Sequence, residues 1–240
     1  HDGDLVRAMI IANGDSYVHE YHLQEQDRWT NKIDVDINLG IGAGSNDRTF
    51  WTTIEALQQY KVDTLILGWT AWQRSFFNKS NGSRYKLIND DAFDEVLSDN
   101  DNDASVSRFY LTKVFNEFTQ LKNTLIQMLH IQEFCKIKGI KLINFATVFD
   151  ASHLNEKKIT HIASSAFMSR KNKDIEAKGI EFNTNLLLGL IGKLDRSCWI
   201  NNEIFSSMNT ILEDYPRLHD GHIGVEGANK WAEILSKHLH

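Results

Sequence analysis

The sequence predicts an α/β fold, a parallel sheet covered by helices on both faces. Three observations point there. Short, β-rich apolar runs alternate with longer stretches of helical period along the 240 residues, and parallel strands need the crossover connections that such stretches supply. Polar and glycine-containing breaks follow the strand candidates directly, where sheets of this kind bind ligands. A single proline, Pro216, leaves no proline-rich linker and no internal repeat is visible, so residues 1–240 are expected to form one domain with a substantial core.

The strand candidates are "LVRAMIIA" (5–12), "KIDVDINLGI" (32–41), "VDTLILGW" (62–69) and "GIKLINFATVF" (139–149). Each is short and rich in branched side chains. Helical period is clearest in "RTFWTTIEALQQY" (48–60) and across 107–139. There Phe115, Phe118, Leu121, Leu125, Met128, Leu129 and Ile131 recur near every 3.6 residues and Gly139 supplies a stop. The last element is an amphipathic helix whose apolar positions include Val225, Ala228, Trp231, Ala232 and Leu235. Two polar stretches fit the alternation poorly, at about 76–105 and 150–179, and read as insertions lying over the sheet edge as surface loops or a lid.

Composition narrows the function classes. With 26 Lys and Arg against 32 Asp and Glu, the formal net charge is −6. That argues against broad attraction to nucleic acid or anionic membrane and favours a small neutral or polar substrate. Cys135 and Cys198 stand too far apart and alone to frame a disulfide scaffold, and are expected to be buried thiols in a reducing compartment. No window approaches the about 18 uninterrupted apolar residues of a membrane span, and the opening residues lack a secretory pattern.

The chemistry concentrates in "IIANGDSYVHEY" (10–21), where an apolar run breaks at Gly14 and is followed by Asp15 and Ser16. A serine between a buried strand and a helix lies among unpaired backbone N–H groups, which would stabilise an oxyanion. Gly14 permits the turn and Asp15 can satisfy local donors. Equally, Ser16 or Asp15 reads as an ordinary N-cap. A base is needed to decide, and "YPRLHDGHIGVEGANKWAEILSKHL" (215–239) offers His222 with Asp220 on one glycine-rich loop. A neutral imidazole can take the serine proton while a carboxylate on its other nitrogen fixes the tautomer.

With these residues in view, the chain resembles the SGNH, or GDSL, hydrolase family. The matching features are "GDS" (14–16), "NLGIGAGSND" (38–47), Gly68 at the end of "TLILGWT", and "DGHIGVEGANKWAEIL" (220–235), in the family order and over nearly the whole chain. "GSNDRT" and "GWTAWQR" are similar to a branch found in phages and bacteria, and with no signal peptide or transmembrane segment in the sequence a cytoplasmic or virion-associated protein is expected. The resemblance implies a flavodoxin-like three-layer α/β/α sandwich without cofactor. It also implies a catalytic set of Ser16 as nucleophile, His222 as base and Asp220 as its orienter. The backbone N–H groups of Ser16 and Gly44, with Ala43 as rival to Gly44, would form the oxyanion hole.

The chain departs from the family at two places. Gly68-Trp69-Thr70-Ala71 stands where the family carries Gly-x-Asn-Asp, so the asparagine donor is absent and Thr70, Asn46 or Arg74 would have to replace it. The family acid stands three residues before the histidine, a position held by His219, whereas Asp220 is two before. Ser45, Asn46 and Asp47 read equally as a helix cap and acidic first turn. Asp15, Trp69, Trp72 and Arg74 are the substrate-binding candidates. Arg74 would take a carboxylate or acyl oxygen, while Trp69, Trp72, Phe76 and Phe77 form either core or a sugar-stacking wall.

The expected function is that of a serine esterase or acylhydrolase acting on a small ester, such as an O-acetyl group on a carbohydrate. The alternatives are a degenerate module of the same fold that binds a glycan or protein, and an acyltransferase. A nucleotide or S-adenosylmethionine site at "NLGIGAG" is disfavoured, since Ser45 and Asp47 occupy the positions a third glycine would need. No G-x-S-x-G, Walker A or H-E-x-x-H pattern occurs. His19 and His22 have no clustered third ligand, so no metal is expected and these rings should be solvent-facing or packed.

Overall fold

In the computed structural model, which describes residues 8–42, 44–78, 84–87, 116–149, 154–167 and 173–239, the apolar runs condense into strands shorter than their sequence pattern. The chain begins with β1 (Ile10–Asn13), the one-turn α1 (Ser16–His19), α2 (Trp29–Lys32) and the two-residue β2 (Ile37–Asn38). There follow α3 (Asn46–Gln59), β3 (Thr64–Trp69) and the strands β4 (Ser75–Asn78) and β5 (Arg84–Leu87). The remainder runs α4 (Glu117–Lys138), β6 (Lys141–Ala146), α5 (Glu156–Ser164), α6 (Lys173–Ile191), α7 (Met208–Ile211) and α8 (Val225–Leu239). Strands β2, β1, β3 and β6 pair in parallel in that order, and β4 with β5 forms an antiparallel hairpin. Beyond β6, among the described residues, the chain meets the sheet at two isolated parallel bridges, Asn144 with Trp199 and Ala146 with Ser207.

Strand alternation sends successive side chains into two separate cores. Leu65, Leu67, Trp69, Leu142 and Ala146 enter one, with Ala56 of α3, Leu121 and Leu125 of α4, Ile159 and Ile162 of α5 and Leu187 of α6. Ala12, Ile66, Ile143 and Phe145 enter the other, with Tyr17, Val18, Trp29, Met208, Ala228, Trp231 and Leu235. The molecule is therefore a three-layer α/β/α sandwich. In the second core Phe145 lies edge-on to both Trp231 (5.0 Å between centroids) and Trp29 (6.3 Å).

Several boundaries differ from the sequence reading for local reasons. Of 32–41 only Ile37 and Asn38 are strand, because Trp29 is fully buried with its indole N–H on the Tyr17 carbonyl (2.9 Å), and the chain around it closes as α2. The helix expected over 107–139 runs from Glu117, capped by Asn116 and stopped by Gly139 at φ 68°; residues 107–115 lie outside the described ones. Region 150–179, expected as loop, supplies α5 and the start of α6 where it is described. The apolar stripe of α5 is only Ile159, Ile162 and Ala163, set among lysines and a histidine, and Asn155 caps it. From 76–105, residues 76–78 and 84–87 belong to the hairpin, and the remainder lies outside the described residues.

Two features aim the end of β1 at the site. Buried Asn13 donates to the Thr49 carbonyl (3.0 Å) and to the Thr52 and Thr53 hydroxyls (2.8 and 2.9 Å), while its Oδ1 accepts from Gly14 N–H (2.9 Å). Gly14 then passes so close to β3 that a Cβ there would lie 2.5 Å from Val18 Cγ2 and 2.7 Å from the Gly68 carbonyl oxygen. Only glycine fits that approach.

Candidate active site

Ser16 opens α1, and its N–H is one of the first-turn amides that no carbonyl of the helix can accept. Asp15 is the N-cap, its Oδ1 accepting from Tyr17 N–H at 3.0 Å. Asp15 is thus the cap of the tripeptide, and the Ser16 hydroxyl is left to meet another group. That group comes from the loop before α8. Ser16 Oγ lies 2.9 Å from His222 Nε2, across 206 residues of sequence.

Asp220 Oδ2 lies 3.1 Å from His222 Nδ1, while its Oδ1 accepts from the His222 backbone N–H at 3.2 Å. The ring contact is at ion-pair distance without hydrogen-bond alignment. Although partial burial works the other way, the His222 backbone N–H and imidazole hold the Asp220 carboxyl below its ordinary value.

A cleft of about 610 Å³ opens beside these groups, lined by Ser16, Tyr17, His19, Tyr21, Ile41, Gly42, Arg74, Val148, Asp220 and His222. The His222 ring is packed against Tyr17 (5.1 Å between centroids) and His22 (4.4 Å), with Tyr21 edge-on at 6.1 Å. Burial, then the neighbouring His222, lowers the His22 pKa to about 4, so this ring packs on His222 in its neutral form. A smaller cavity of about 400 Å³, lined among others by Cys135, Cys198, Lys141 and Trp199, opens at the amino end of β6. Both thiols are free, Cys135 buried and Cys198 half-buried, and burial pushes the Cys135 thiol up to about 12.

Of the residues predicted to bind substrate or oxyanion, Ser16 and Arg74 line the cleft and the other described ones do not. Asp15 is 1% exposed and accepts from Arg74 and Thr147 as well as Tyr17, so it faces protein and not solvent. Trp69 and Trp72 are core: Trp69 donates to Asn144 Oδ1 (2.9 Å) and Trp72 packs edge-on to Phe149. Asn46 is buried and clamps the Thr70 backbone, donating to its carbonyl and accepting from its N–H, both at 2.9 Å. Gly44 N–H closes a turn onto the Ile41 carbonyl at 3.1 Å. Thr70 is 1% exposed and does not line the cleft; Ala43 lies outside the described residues.

Sequence reasoning missed Tyr21, which is 54% exposed at the cleft mouth, and the stacking of His22 on His222. The only signal was an unusual density of aromatic and imidazole rings at 17–22. Among the described residues no group of three or more His, Cys, Asp or Glu is placed to hold a metal, and no helix is long and apolar enough to cross a membrane.

Residues 14–168 match a family described as a family of unknown function, DUF6071. No curated protein matches the chain. Among solved structures it is similar to a catalytic mutant of Axe2, an acetylxylan esterase from Geobacillus stearothermophilus, at 9% identity and a TM-score of 0.47, covering 97% of this chain and 94% of that one. It is also similar to a GDSL-like lipase from Bacteroides thetaiotaomicron (12% identity, TM-score 0.44, covering 95% and 86%). A third likeness is to the psychrotrophic esterase EstA from Pseudoalteromonas sp. (8% identity, TM-score 0.43, covering 96% of each chain).

Proposed function

The chain belongs to DUF6071, and from that premise, with the serine, imidazole and carboxylate of its cleft, we propose that it is a serine esterase or acylhydrolase of the SGNH type. The observation that carries the reading is the 2.9 Å contact between Ser16 Oγ and His222 Nε2. Two side chains from opposite ends of the sequence meet at hydrogen-bond distance inside a cleft, the nucleophile-and-base arrangement that acyl transfer needs.

In this reading Ser16 Oγ attacks the ester carbonyl carbon as His222 Nε2 takes its proton. The oxyanion that forms is met by the Ser16 N–H. Collapse of the intermediate breaks the bond to the alcohol oxygen, which receives the proton from His222 and departs. Water, deprotonated by the same imidazole, then attacks the acyl-serine, and the acid leaves as Ser16 is restored. Asp220 favours the tautomer with its proton on Nδ1 and offsets the charge of the imidazolium.

The substrate proposed is a small ester, with an O-acetyl group on a carbohydrate foremost. Support comes from Tyr21, whose exposed ring beside His222 offers a flat surface for the apolar face of a sugar. A second reading, a binding module that does not turn its ligand over, is favoured by one observation: Asn46 and the Gly44 N–H are both engaged within the protein.

A fluorophosphonate probe separates the two. The esterase labels at Ser16, and Ser16→Ala and His222→Ala each abolish labelling and the hydrolysis of p-nitrophenyl acetate while the melting temperature holds. Absence of labelling in the folded wild-type protein would sink the esterase reading in favour of the binding module. Acetylated sugars, compared with short-chain p-nitrophenyl esters, then test the substrate class.

A further inference from the structure

Stabilising the oxyanion of acyl transfer takes more than one donor, and resting on the esterase reading above, we infer that Arg74 is the second donor and that Asp15 is the residue that positions it. The cleft leaves few other choices. Gly44 N–H is on the Ile41 carbonyl, Asn46 Nδ2 is on the Thr70 carbonyl, and Thr70 is buried away from the cleft lining. Arg74 lines the cleft beside Ser16 and His222.

The arginine is fixed by one edge. Its Nη1 donates to Asp15 Oδ2 at 3.0 Å, with side-chain exposures of 16% for Arg74 and 0% for Asp15. A guanidinium has five N–H groups, and this bond uses one of them; Nε is buried without a partner among the described residues. Asp15 is in turn held rigidly: Oδ2 also accepts from Thr147 Oγ1 at 2.9 Å, and Oδ1 from Tyr17 N–H at 3.0 Å. Thr147 follows β6 and ties back to β3, with its N–H on the Trp69 carbonyl at 2.8 Å. The three strand ends thus converge on one carboxylate next to the nucleophile, and that carboxylate aims a cation at the cleft.

The pairing also solves an electrostatic problem. An unpaired buried carboxylate one residue from Ser16 would repel the developing negative charge. Paired with Arg74 it is neutral overall, and the guanidinium remains a charge-assisted donor, stronger than a neutral amide. Asp15 acts through Arg74 and is a positioning residue, whereas Arg74 touches the reacting oxygen.

Steady-state hydrolysis of p-nitrophenyl acetate by the whole chain tests the assignment, with melting temperature as the folding control. Arg74→Ala should lower kcat by about 10²–10³ with KM nearly unchanged, and added methylguanidinium should restore part of it. Arg74→Lys, which keeps the charge and loses the fork, should fall between, and it decides the matter if the alanine variant does not fold. Asp15→Asn should lower kcat, and the double variant should be no slower than Arg74→Ala alone, because the two act as a unit. An unchanged kcat, a loss confined to KM, or additive losses in the double variant overturn the assignment while leaving the esterase reading standing. A folded wild-type protein without Ser16-dependent turnover overturns both.

Discussion

Glu20 sits directly after α1 with φ 50°, is 0% exposed, and points one oxygen at the start of α2. Its Oε2 accepts from Thr30 N–H at 3.4 Å, and Oε1 has no partner among the described residues. Burial raises its pKa from 4.5 to about 8, against the opposing pull of the Trp29 and Thr30 amides and of Arg28 and Lys32. The folded chain therefore binds this proton more tightly than the unfolded chain. The stability it contributes is complete below pH 4.5 and is lost as pH rises through the interval up to about 8. At about 1.4 kcal/mol per pKa unit, the loss is ~3 kcal/mol by pH 7 and ~5 kcal/mol above pH 8. Glu20→Gln keeps an acceptor for the amides and removes the ionisation. Urea unfolding at pH 4.5, 7 and 8.5 should show variant and wild type alike at the acid end, with the variant more stable by those amounts toward the alkaline end. For a chain of this size that corresponds to about 2–4 °C of melting temperature per kcal/mol. A difference that does not change with pH would refute the reasoning, as would a glutamine variant less stable than wild type at pH 8.5.

Three further outcomes are expected. The neutral His22 ring stabilises the fold fully above pH 6.5 and less as pH falls toward about 4, so its NMR titration should have a midpoint near 4, and His22→Phe should flatten the acid limb of the stability curve; a midpoint near 6.5 would contradict the packing described. Gly14→Ala places a methyl 2.7 Å from the Gly68 carbonyl and should lower stability by about 1–3 kcal/mol, measured by denaturant melts, with activity falling further than folding explains. Asp220→Ala should reduce kcat by much less than the ~10⁴-fold that replacing a buried, aligned triad acid costs, since this carboxylate is 32% exposed and off-line from Nδ1; a loss equal to that of His222→Ala would show that it carries more than its geometry suggests.

What the sequence makes legible is what local chemistry dictates. A glycine, an acid and a serine after an apolar run announce the end of β1, and His222 stands out because Asp220 and two glycines surround it in sequence. Which side chains face the cleft is a tertiary matter. Trp69 looks like a candidate wall because it ends β3, but a strand buried on both faces sends its last ring inward, where Asn144 accepts its N–H. Asn46 carries the right donor for an oxyanion and is consumed in holding the Thr70 backbone, a partner 24 residues away. Arg74 is legible only as a cation near the site; that Asp15 and Thr147 fix it depends on three strand ends meeting. The helix of 156–164 escapes notice because its three buried apolar positions are set among charged and polar ones, and the start of the next helix reads the same way.

The margins of the main sheet have a consequence for the molecule's behaviour in a crowded solution. On one side β2 offers two residues, and on the other the chain beyond β6 touches it through two single bridges. An incoming extended segment needs a run of consecutive free amides and carbonyls to zip onto an edge; β2 is two residues long, and the outer edge of β6 is interrupted at Asn144 and Ala146. The hydrophobic centre strands are thereby shielded from recruiting neighbours, with Lys141 adding a charge at the start of the β6 border.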